Sequence, residues 1–338
     1  MKFSINVSSY WVKVLNGMGL GLFSSLIVGL ILKQIGTYLG IELFSTLGTA
    51  AQLMMGPAIA AAIARSLDAP PLAIFSVLAV GAIGAGTFSG SAPVVVGEPM
   101  GAAVAAVIGV QAAKFIQSRS GGSMDILLIP IGTITIGGIA GITLAPYVAY
   151  IMNWLGALIN AATTLHPLTM GMAVSAIMGI VLTLPISSAA LAISLNLSGL
   201  AAGAATVGCC CQMIGFAVSS FRDNGVGGLI SQGLGTSMIQ MPNIIKNPKI
   251  WIPPTLTSII LGPVATVAFR MENNSVGAGM GTSGLVGQVG TFTVMGSAAW
   301  PGVIALHFVL PAVLSLAFSE IMRRKGLIKE SDMALSVK

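Results

Sequence analysis

The chain has 338 residues, of which 55% are hydrophobic and only 7% are charged, and its formal net charge is +6. A soluble domain carries about 25% charged residues, so this composition excludes a water-soluble globular protein and predicts an integral membrane protein. Apolar runs of about 20 residues recur along the chain and predict helices rather than a membrane barrel. The basic residues stand at the ends of these runs, as topology determinants do, so the positive charge does not indicate nucleic-acid binding.

In chain order, the first half is predicted to contain apolar helical segments separated by turns. These segments are 15–34, 44–64, 72–87, 102–116 and 126–158. Pro70 and Pro71 are expected to start the third segment. Between the third and fourth segments lies FSGSAPVVVGEPMG, residues 88–101, with two prolines, three glycines and Glu98. The segment 126–158 is expected to be broken at its glycine-rich stretch and at Pro146.

The second half continues with the predicted segments 168–190, 191–221, 226–245, 255–269 and 300–322, with a turn at Arg222–Gly225. Pro185 is expected to interrupt the first of these segments. The stretch RMENNSVGAGMGTSGLVGQVGTF, residues 270–292, interrupts this apolar sequence with polar residues and six glycines. The fold class predicted is an all-α membrane protein, a polytopic bundle of about eight to ten transmembrane helices with two re-entrant or broken elements. It forms a single integral membrane transport domain, 1–338, with two possible halves, 1–165 and 166–338.

A weak internal similarity supports the division into halves. LGTAAQLM (47–54) is similar to LGTSMIQM (234–241), and each is followed by a double proline and then by an acidic, glycine-rich element. The spacings differ, so chance is the alternative explanation.

Charge placement predicts a multi-pass protein of the cell (inner) membrane with both termini in the cytoplasm. Lys2 and Lys13 indicate this for the N-terminus, and the C-terminal cluster consists of Arg323, Arg324, Lys325 and Lys329. Cys209, Cys210 and Cys211 are consecutive. Because adjacent residues of a helix point about 100° apart, these thiols do not converge on one metal, and small core residues are the favoured interpretation. No metal and no cofactor are predicted.

The two interruptions predict a substrate site. Non-helical backbone at membrane depth persists only where protein or a watery cavity satisfies its polar groups, and transporters build midplane sites from broken helices. A charged side chain at the bilayer centre costs about 2.5–3.5 kcal/mol on insertion scales, so Glu98 and Glu272 are the leading candidates. They would accept hydrogen bonds from the hydroxyl or amide groups of a solute, or carry a proton. The structural alternatives are a helix cap for Glu98 and a local pair with Arg270 for Glu272.

The other candidates for substrate binding are polar or small residues of the same two elements. They are Gly97, Pro99, Asn273, Asn274, Ser275, Gly279, Thr282, Ser283 and Gln288. Asn and Ser are also the residues that cap helices, and the glycines either let backbone approach a ligand or let helices pack closely. His307 lies inside the last span and could titrate near neutral pH, but a packing role is favoured for it. No nucleophile–base pair or phosphate loop is recognisable, so the chain is predicted not to be an enzyme.

A resemblance rests on residues 231–292 (SQGLGTSMIQ to GQVGTF) and on GEPMGAAVAAVIGVQAAKF, residues 97–115. Both resemble the stand-alone IIC-like permeases of the sugar phosphotransferase system, including PfoR-type membrane proteins. The more distant glucose-type IIC proteins place at the sugar the glutamate of a Gly-Ile-Thr-Glu-Pro motif. Here only Gly97-Glu98-Pro99 of that motif is present.

The resemblance implies a homodimeric inner-membrane permease with re-entrant hairpins. It would move a small polar solute, such as a sugar or a related metabolite, through a midplane site. It also implies a separate IIB-like protein as a partner, because any phosphorylation would need separate IIA and IIB components. The alternative is a membrane-embedded ligand sensor or regulator without transport, which the PfoR-type name suggests.

Overall fold

The computed structural model describes residues 7–88, 94–120, 122 and 124–335. Lys2 and residues 89–93 of the first predicted interruption lie outside the described residues. Every named element in the described residues is helical, which confirms the all-α prediction. The chain divides into two compact units, unit 1 (Met1–Ile151) and unit 2 (Met152–Lys338), and each is described by itself.

Unit 1 is an assembly of long apolar helices. They are α1 (Val7–Leu22), α2 (Val28–Leu39), α3 (Glu42–Leu53), α4 (Met55–Ser66), α5 (Pro71–Ala85), α6 (Pro99–Ser120) and most of α7 (Asp125–Thr163). Helix α4 packs against α1, α5 and α6. Helix α5 also packs against α6. Glycines permit close contacts: a Cβ on Gly56 of α4 would lie 2.6 Å from the Gly81 carbonyl oxygen of α5, and one on Gly84 of α5 would lie 2.6 Å from the Gly101 carbonyl oxygen of α6.

Two helices of unit 1 differ from the sequence-based prediction. The segment 44–64 was predicted as one helix, but it is bent by 53° between α3 and α4. Pro57 explains the bend, because a proline ring clashes with the carbonyl four residues earlier and donates no hydrogen bond. Conversely, α7 runs for 39 residues through both Pro130 and Pro146 without a break. Within a membrane, neighbouring helices, hydroxyl side chains and small backbone adjustments satisfy the carbonyl groups that a proline frees, so glycines and prolines are tolerated within spans.

Unit 2 is arranged around one buried helix. Its helices are α8 (Pro167–Thr183), α9 (Ser188–Ser194), α10 (Gly199–Ser219), α11 (Phe221–Ile230), α12 (Met241–Lys246), α13 (Ile252–Pro263), α14 (Ser275–Ala278), α15 (Val286–Met295), α16 (Ala299–Gly302) and α17 (Leu310–Arg324). Helix α10 packs against α8, α13 and α17 and is buried over most of its length. It is therefore the scaffold on which the polar elements of unit 2 are positioned.

The segment 226–245 was predicted as one helix, and this prediction is wrong. A π-helical turn (Ser231–Gly235) and a 3-10 turn (Ser237–Gln240) separate α11 from α12. Gly225, at the end of the predicted Arg222–Gly225 turn, leaves the helical conformation with φ +58°. Residues 47–54 lie in and directly after α3, whereas 234–241 span these short turns, so the similar octapeptides differ in local structure. The internal repeat stays a prediction.

A buried glutamine joins several elements of unit 2. The Gln212 Oε1 atom accepts hydrogen bonds from Trp251 Nε1 at 3.0 Å and from Thr183 Oγ1 at 3.3 Å. Its Nε2 atom donates to Thr255 Oγ1 at 3.1 Å. Every polar end of this side chain therefore has a protein partner, as expected for a structural hydrogen bond between helices.

Six helices in the described residues are long and apolar enough to cross a membrane, or seven if the bent α3–α4 pair is one span. Two further apolar helices, Pro71–Ala85 and Pro167–Thr183, are shorter. The predicted number of eight to ten spans therefore requires these shorter helices to be counted. The count agrees with a polytopic membrane protein.

The contact between α8 and α10 makes a testable prediction. A Cβ on Gly208 would lie 1.9 Å from the Ser175 carbonyl oxygen, so Gly208→Ala must push the two helices apart. We expect this overpacking to lower the free energy of unfolding by about 1–3 kcal/mol, measured by denaturant titration in detergent. Gly227→Ala is the matched control, because a Cβ there meets no atom within 4 Å. Equal stability of the two variants would contradict the close packing of α8 and α10.

Candidate functional site

The first interruption lies in unit 1, between α5 and α6. Gly86 ends α5 in a left-handed conformation, with φ +74°. The described part of the stretch then returns along the end of α5: the Val95 N–H donates to the Thr87 carbonyl at 3.3 Å, and the Glu98 N–H donates to the Ala85 carbonyl at 2.8 Å. The non-helical backbone is thus held by backbone hydrogen bonds to the helix that precedes it.

Three predicted site residues start α6. Gly97 has φ +80°, and a Cβ there would lie 2.2 Å from the Ala85 carbonyl oxygen, so only glycine fits. Glu98 is half-buried and directly precedes the helix, and its carbonyl accepts from the Ala102 N–H at 3.2 Å. Pro99 is the buried first residue of α6. A carboxylate at this place is favoured by the positive end of the helix dipole, whatever else it binds.

The second interruption lies in unit 2, where the chain leaves the helical conformation twice. After α13 and a π-helical turn (Val264–Ala268), Arg270 has φ +48°. The four-residue α14 follows, and then Gly281, Gly284 and Leu285 have positive φ before α15 begins. The stretch 269–285 is therefore a broken element between longer helices, as predicted.

Asn273 fixes this broken element to α10. It is 1% exposed, and its two Nδ2 hydrogens are shared among three acceptors: Thr206 Oγ1 at 2.7 Å, the Gly287 carbonyl at 2.9 Å and Thr291 Oγ1 at 3.1 Å. Its backbone forms an isolated antiparallel bridge with Gly199, at the start of α10. One side chain thus joins the break, α10 and α15.

Two of the six glycines make room for that side chain. A Cβ on Gly277 would lie 2.4 Å from Asn273 Oδ1, and a Cβ on Gly290 would lie 2.3 Å from the same atom. Gly279 is a packing contact too, because a Cβ there would lie 2.3 Å from the Ser188 carbonyl oxygen of α9. The Ser188 hydroxyl in turn donates to the Gly279 carbonyl at 2.6 Å.

Asn274 is a helix cap. Its Oδ1 atom accepts from the Gly277 N–H at 2.9 Å at the start of α14. Ser275 is the first residue of α14 and is half-buried. The alternative that Asn274 caps a helix is therefore confirmed.

Thr282 and Ser283 are buried side by side and differ in their partners. The Thr282 hydroxyl donates to the Gly233 carbonyl at 2.5 Å. Ser283 is 2% exposed, and its hydroxyl forms no hydrogen bond with any group of the described residues. A buried polar atom without a partner costs about 1–3 kcal/mol of stability. The burial of the Ser283 hydroxyl therefore calls for an explanation, whereas the Thr282 hydroxyl is satisfied by its hydrogen bond.

Gln288 and His307 form a buried pair. Gln288 Nε2 lies 3.1 Å from His307 Nδ1 and donates to Cys210 Sγ at 3.5 Å. Gln288 is 5% exposed and His307 is 0% exposed. Within the described residues, Gln288 Oε1 and His307 Nε2 have no hydrogen-bond partner. His307 lies on the π-helical segment Val303–Val309, a distortion that often marks functional sites in helices.

Glu272 is separate from these buried groups. It is exposed, and its backbone N–H donates to Met295 Sδ at 3.2 Å. The ion pairs of the described residues are Lys13–Asp68, Arg222–Glu320 and Arg323–Asp223, so Arg270 and Glu272 do not form the local pair considered above.

The structure of unit 2 thus brings some predicted residues together and leaves others apart. Asn273, Thr282, Ser283 and Gln288 are buried on or beside the broken element, whereas Glu272 is exposed. Sequence reasoning missed Thr206 and Thr291, the partners of Asn273, because hydroxyls in apolar helices are common and carry no local signal. It named His307 but favoured packing, and an ionisable side chain within a span is the local signal for considering a site there.

The three cysteines are buried residues of α10 and are free. A Cβ on Gly281 would lie 2.8 Å from the backbone carbon and the Cβ of Cys209, so the glycine lets the broken element approach α10. The described residues contain no group of three or more His, Cys, Asp or Glu side chains arranged to hold a metal.

One comparison with known proteins identifies the family. The model of the family described as "Phosphotransferase system, EIIC" matches residues 12–335, nearly the whole chain. Comparisons with curated proteins and with solved structures found no match. The family match confirms the resemblance to IIC-like permeases, while the PfoR-type label stays a prediction. EIIC proteins are the membrane transport component of the phosphotransferase system. This chain, with its apolar helices and its broken polar elements, belongs to the EIIC family of the phosphotransferase system.

Proposed function

We propose that the protein is an inner-membrane permease that moves a small polar solute, and that the broken element of unit 2 supplies part of its solute site. The observation that carries this proposal is the set of buried polar side chains on 269–288, between helices long and apolar enough to span a membrane. Polar groups in such surroundings are costly unless they face a partner or a solute pathway.

The chemistry of the element favours a neutral polar solute. In and beside the element, the buried polar groups with an unpartnered atom are the amide of Gln288, the hydroxyl of Ser283 and the imidazole of His307. All three groups both donate and accept hydrogen bonds. Gly279, Thr282, Asn273 and Asn274 are proposed to support the site by holding the broken backbone, since each makes a contact within the element or with a neighbouring helix. Ser275 is proposed to contribute its half-buried hydroxyl.

The two carboxylates are proposed to act on the solute as hydrogen-bond acceptors or proton carriers, each within its own unit. Glu98 is half-buried beside Gly97 and Pro99 at the start of α6, and Glu272 is an exposed residue of the broken element. A hydrogen bond to a charged group contributes about 1.5–3 kcal/mol. We therefore expect Glu98→Gln and Glu272→Gln each to lower solute uptake about tenfold or more.

The experiment uses purified protein in sealed liposomes and a panel of radiolabelled neutral monosaccharides, sugar alcohols and amino acids. Glu42→Gln and Glu330→Gln are matched controls, because both carboxylates are exposed and lie outside the two broken elements. Normal uptake by folded Glu98→Gln and Glu272→Gln proteins would refute the proposal that these carboxylates act on the solute.

The same liposomes separate transport from sensing. Accumulation or exchange of a panel member supports the permease. Binding of a panel member with neither accumulation nor exchange would instead support a ligand sensor, and it would overturn the permease proposal. A homodimer and a separate IIB-like partner are further proposals that the family suggests. Cross-linking of the protein in the same membranes tests the dimer.

A further inference from the structure

Gln288, which pairs with His307, differs from the other buried glutamines of unit 2 in its hydrogen bonds. Gln212 has partners for both its amide nitrogen and its carbonyl oxygen, and so does Gln240, which donates to Gln232 Oε1 at 2.9 Å and accepts from Asn243 at 2.8 Å. Gln288 Oε1 has none among the described residues. The fold therefore satisfies glutamines that hold helices together and leaves this one with a free acceptor.

The hydrogen-bond arithmetic of the pair gives the same result for either orientation of the amide. If Gln288 Nε2 donates to His307 Nδ1, the neutral imidazole carries its proton on Nε2, which leaves one N–H donor and the Gln288 oxygen as one acceptor. If the amide is turned over, its oxygen accepts from Nδ1–H. The free groups are then the amide N–H donors and the Nε2 lone pair. In both cases the pair offers at least one donor and one acceptor.

Three structural elements converge on this pair. Gln288 lies on α15, which follows the broken element, and His307 lies on the π-helical segment that precedes α17. Cys210 of α10 contacts the Gln288 amide at 3.5 Å. The π-helical segment carries its own cost, because its backbone departs from regular α-helix. A histidine that only packed against its neighbours would require neither a π-helical backbone nor a buried nitrogen without a hydrogen bond.

We propose that Gln288 and His307 together bind a hydroxyl group of a neutral polyhydroxy solute. A hydroxyl both donates and accepts one hydrogen bond, so it complements a neighbouring donor and acceptor, whereas a carboxylate or an ammonium group satisfies only one of them. This inference rests on the proposed permease function and assigns its solute recognition to a specific pair. Cys210 is a positioning residue, because it contacts the amide and offers only a weakly polar sulfur.

The direct test observes His307 in the unaltered protein. The chain has two histidines, so protein labelled with 15N in its imidazoles gives two pairs of ring-nitrogen signals, and His166→Gln assigns them. Neutral monosaccharides and sugar alcohols are titrated in, with amino acids as the charged comparison. We expect at least one neutral polyhydroxy compound to shift the His307 nitrogen signals saturably, and amino acids to leave them unchanged. No shift with any neutral member, or a shift with amino acids alone, would overturn the assignment.

Variants add an independent measurement. Gln288→Met and His307→Leu should weaken binding of the same compound about tenfold or more. Each should lower the unfolding midpoint less than Gln212→Met does, because each removes an unpartnered polar atom together with the one hydrogen bond of the pair. Gln212→Met is the matched control: it should lower the midpoint, because it leaves Trp251 and Thr255 without their partner. Unchanged binding by folded Gln288→Met and His307→Leu proteins would refute the pair as a binding site.

The outcomes distinguish this inference from the proposed function. If a polyhydroxy compound shifts the His307 signal but none accumulates in liposomes, the binding pair stands and the permease proposal falls. If a compound accumulates normally in both variants and in wild type, the permease stands and the pair falls.

Discussion

Replacing Asp223 with asparagine should lower the free energy of unfolding by about 3–5 kcal/mol, because it leaves a buried arginine without its counter-charge. Asp223 and Arg323 lie 3.5 Å apart, with side chains that are 7% and 10% exposed. The carboxylate also accepts from the N–H groups of Ser331 at 3.2 Å and Met333 at 3.3 Å. The loss is measured by denaturant titration of the detergent-solubilised protein.

The same change should release the C-terminal segment 326–335. That segment is fastened by side chains as well as by Asp223: Asn224 Nδ2 donates to the Met333 carbonyl at 2.8 Å, and Asn243 Nδ2 donates to the Ala334 carbonyl at 2.9 Å. Local opening of this kind exposes backbone to proteases. We expect trypsin to cut after Lys329 faster in Asp223→Asn than in wild type.

Asp68→Asn is the matched control for charge removal. Asp68 pairs with Lys13 at 3.2 Å, but the two side chains are 81% and 52% exposed. An exposed pair contributes about 1 kcal/mol or less, because water screens it. If Asp68→Asn destabilised the protein as much as Asp223→Asn, burial would not be what makes the Asp223–Arg323 pair important.

The second large effect is expected at Asn273. Asn273→Ala removes the two N–H donors that three acceptors share, and the hydrogen bond that Oδ1 accepts from the Asn274 N–H at 2.8 Å. It also leaves a cavity against Gly277 and Gly290. Each buried group left unsatisfied costs about 1–3 kcal/mol, and some partners keep other bonds, so we expect a total loss of about 2–4 kcal/mol. Solute uptake should fall with it, because the broken element loses its attachment to α10.

Asn274→Ser provides the comparison next to it. Serine is as good a helix cap as asparagine, so the bond to the Gly277 N–H is replaced and stability should change little. Unfolding midpoints of both variants in detergent test the difference. A folded Asn273→Ala protein as stable as Asn274→Ser would show that the broken element does not depend on this side chain.

Composition and local pattern determined the fold class. With 7% charged residues, the chain has too few charges to cover a surface in water. Apolar runs of about 20 residues predict helices, because that is the length of a helical span and a membrane strand needs only about 10 residues. Local signals also located both interruptions, at Glu98 and at 270–292, since glycine, proline and polar residues conflict with a buried helix. The break of α8 before Pro185 is of the same local kind.

Long-range contacts decided the rest. Glycine and proline predicted breaks in α7 that do not occur, because nothing local in the sequence reveals whether the surroundings compensate a missing backbone bond. Asn273 and Gln288 look alike as polar residues in one glycine-rich run. Only the tertiary structure gives Asn273 its partners on α10 and α15, and leaves Gln288 facing His307 from 19 positions away with a free acceptor. A hydrogen bond depends on the distance between two groups in space. From the sequence alone, that distance can be predicted only for residues that lie within about one turn of the same helix.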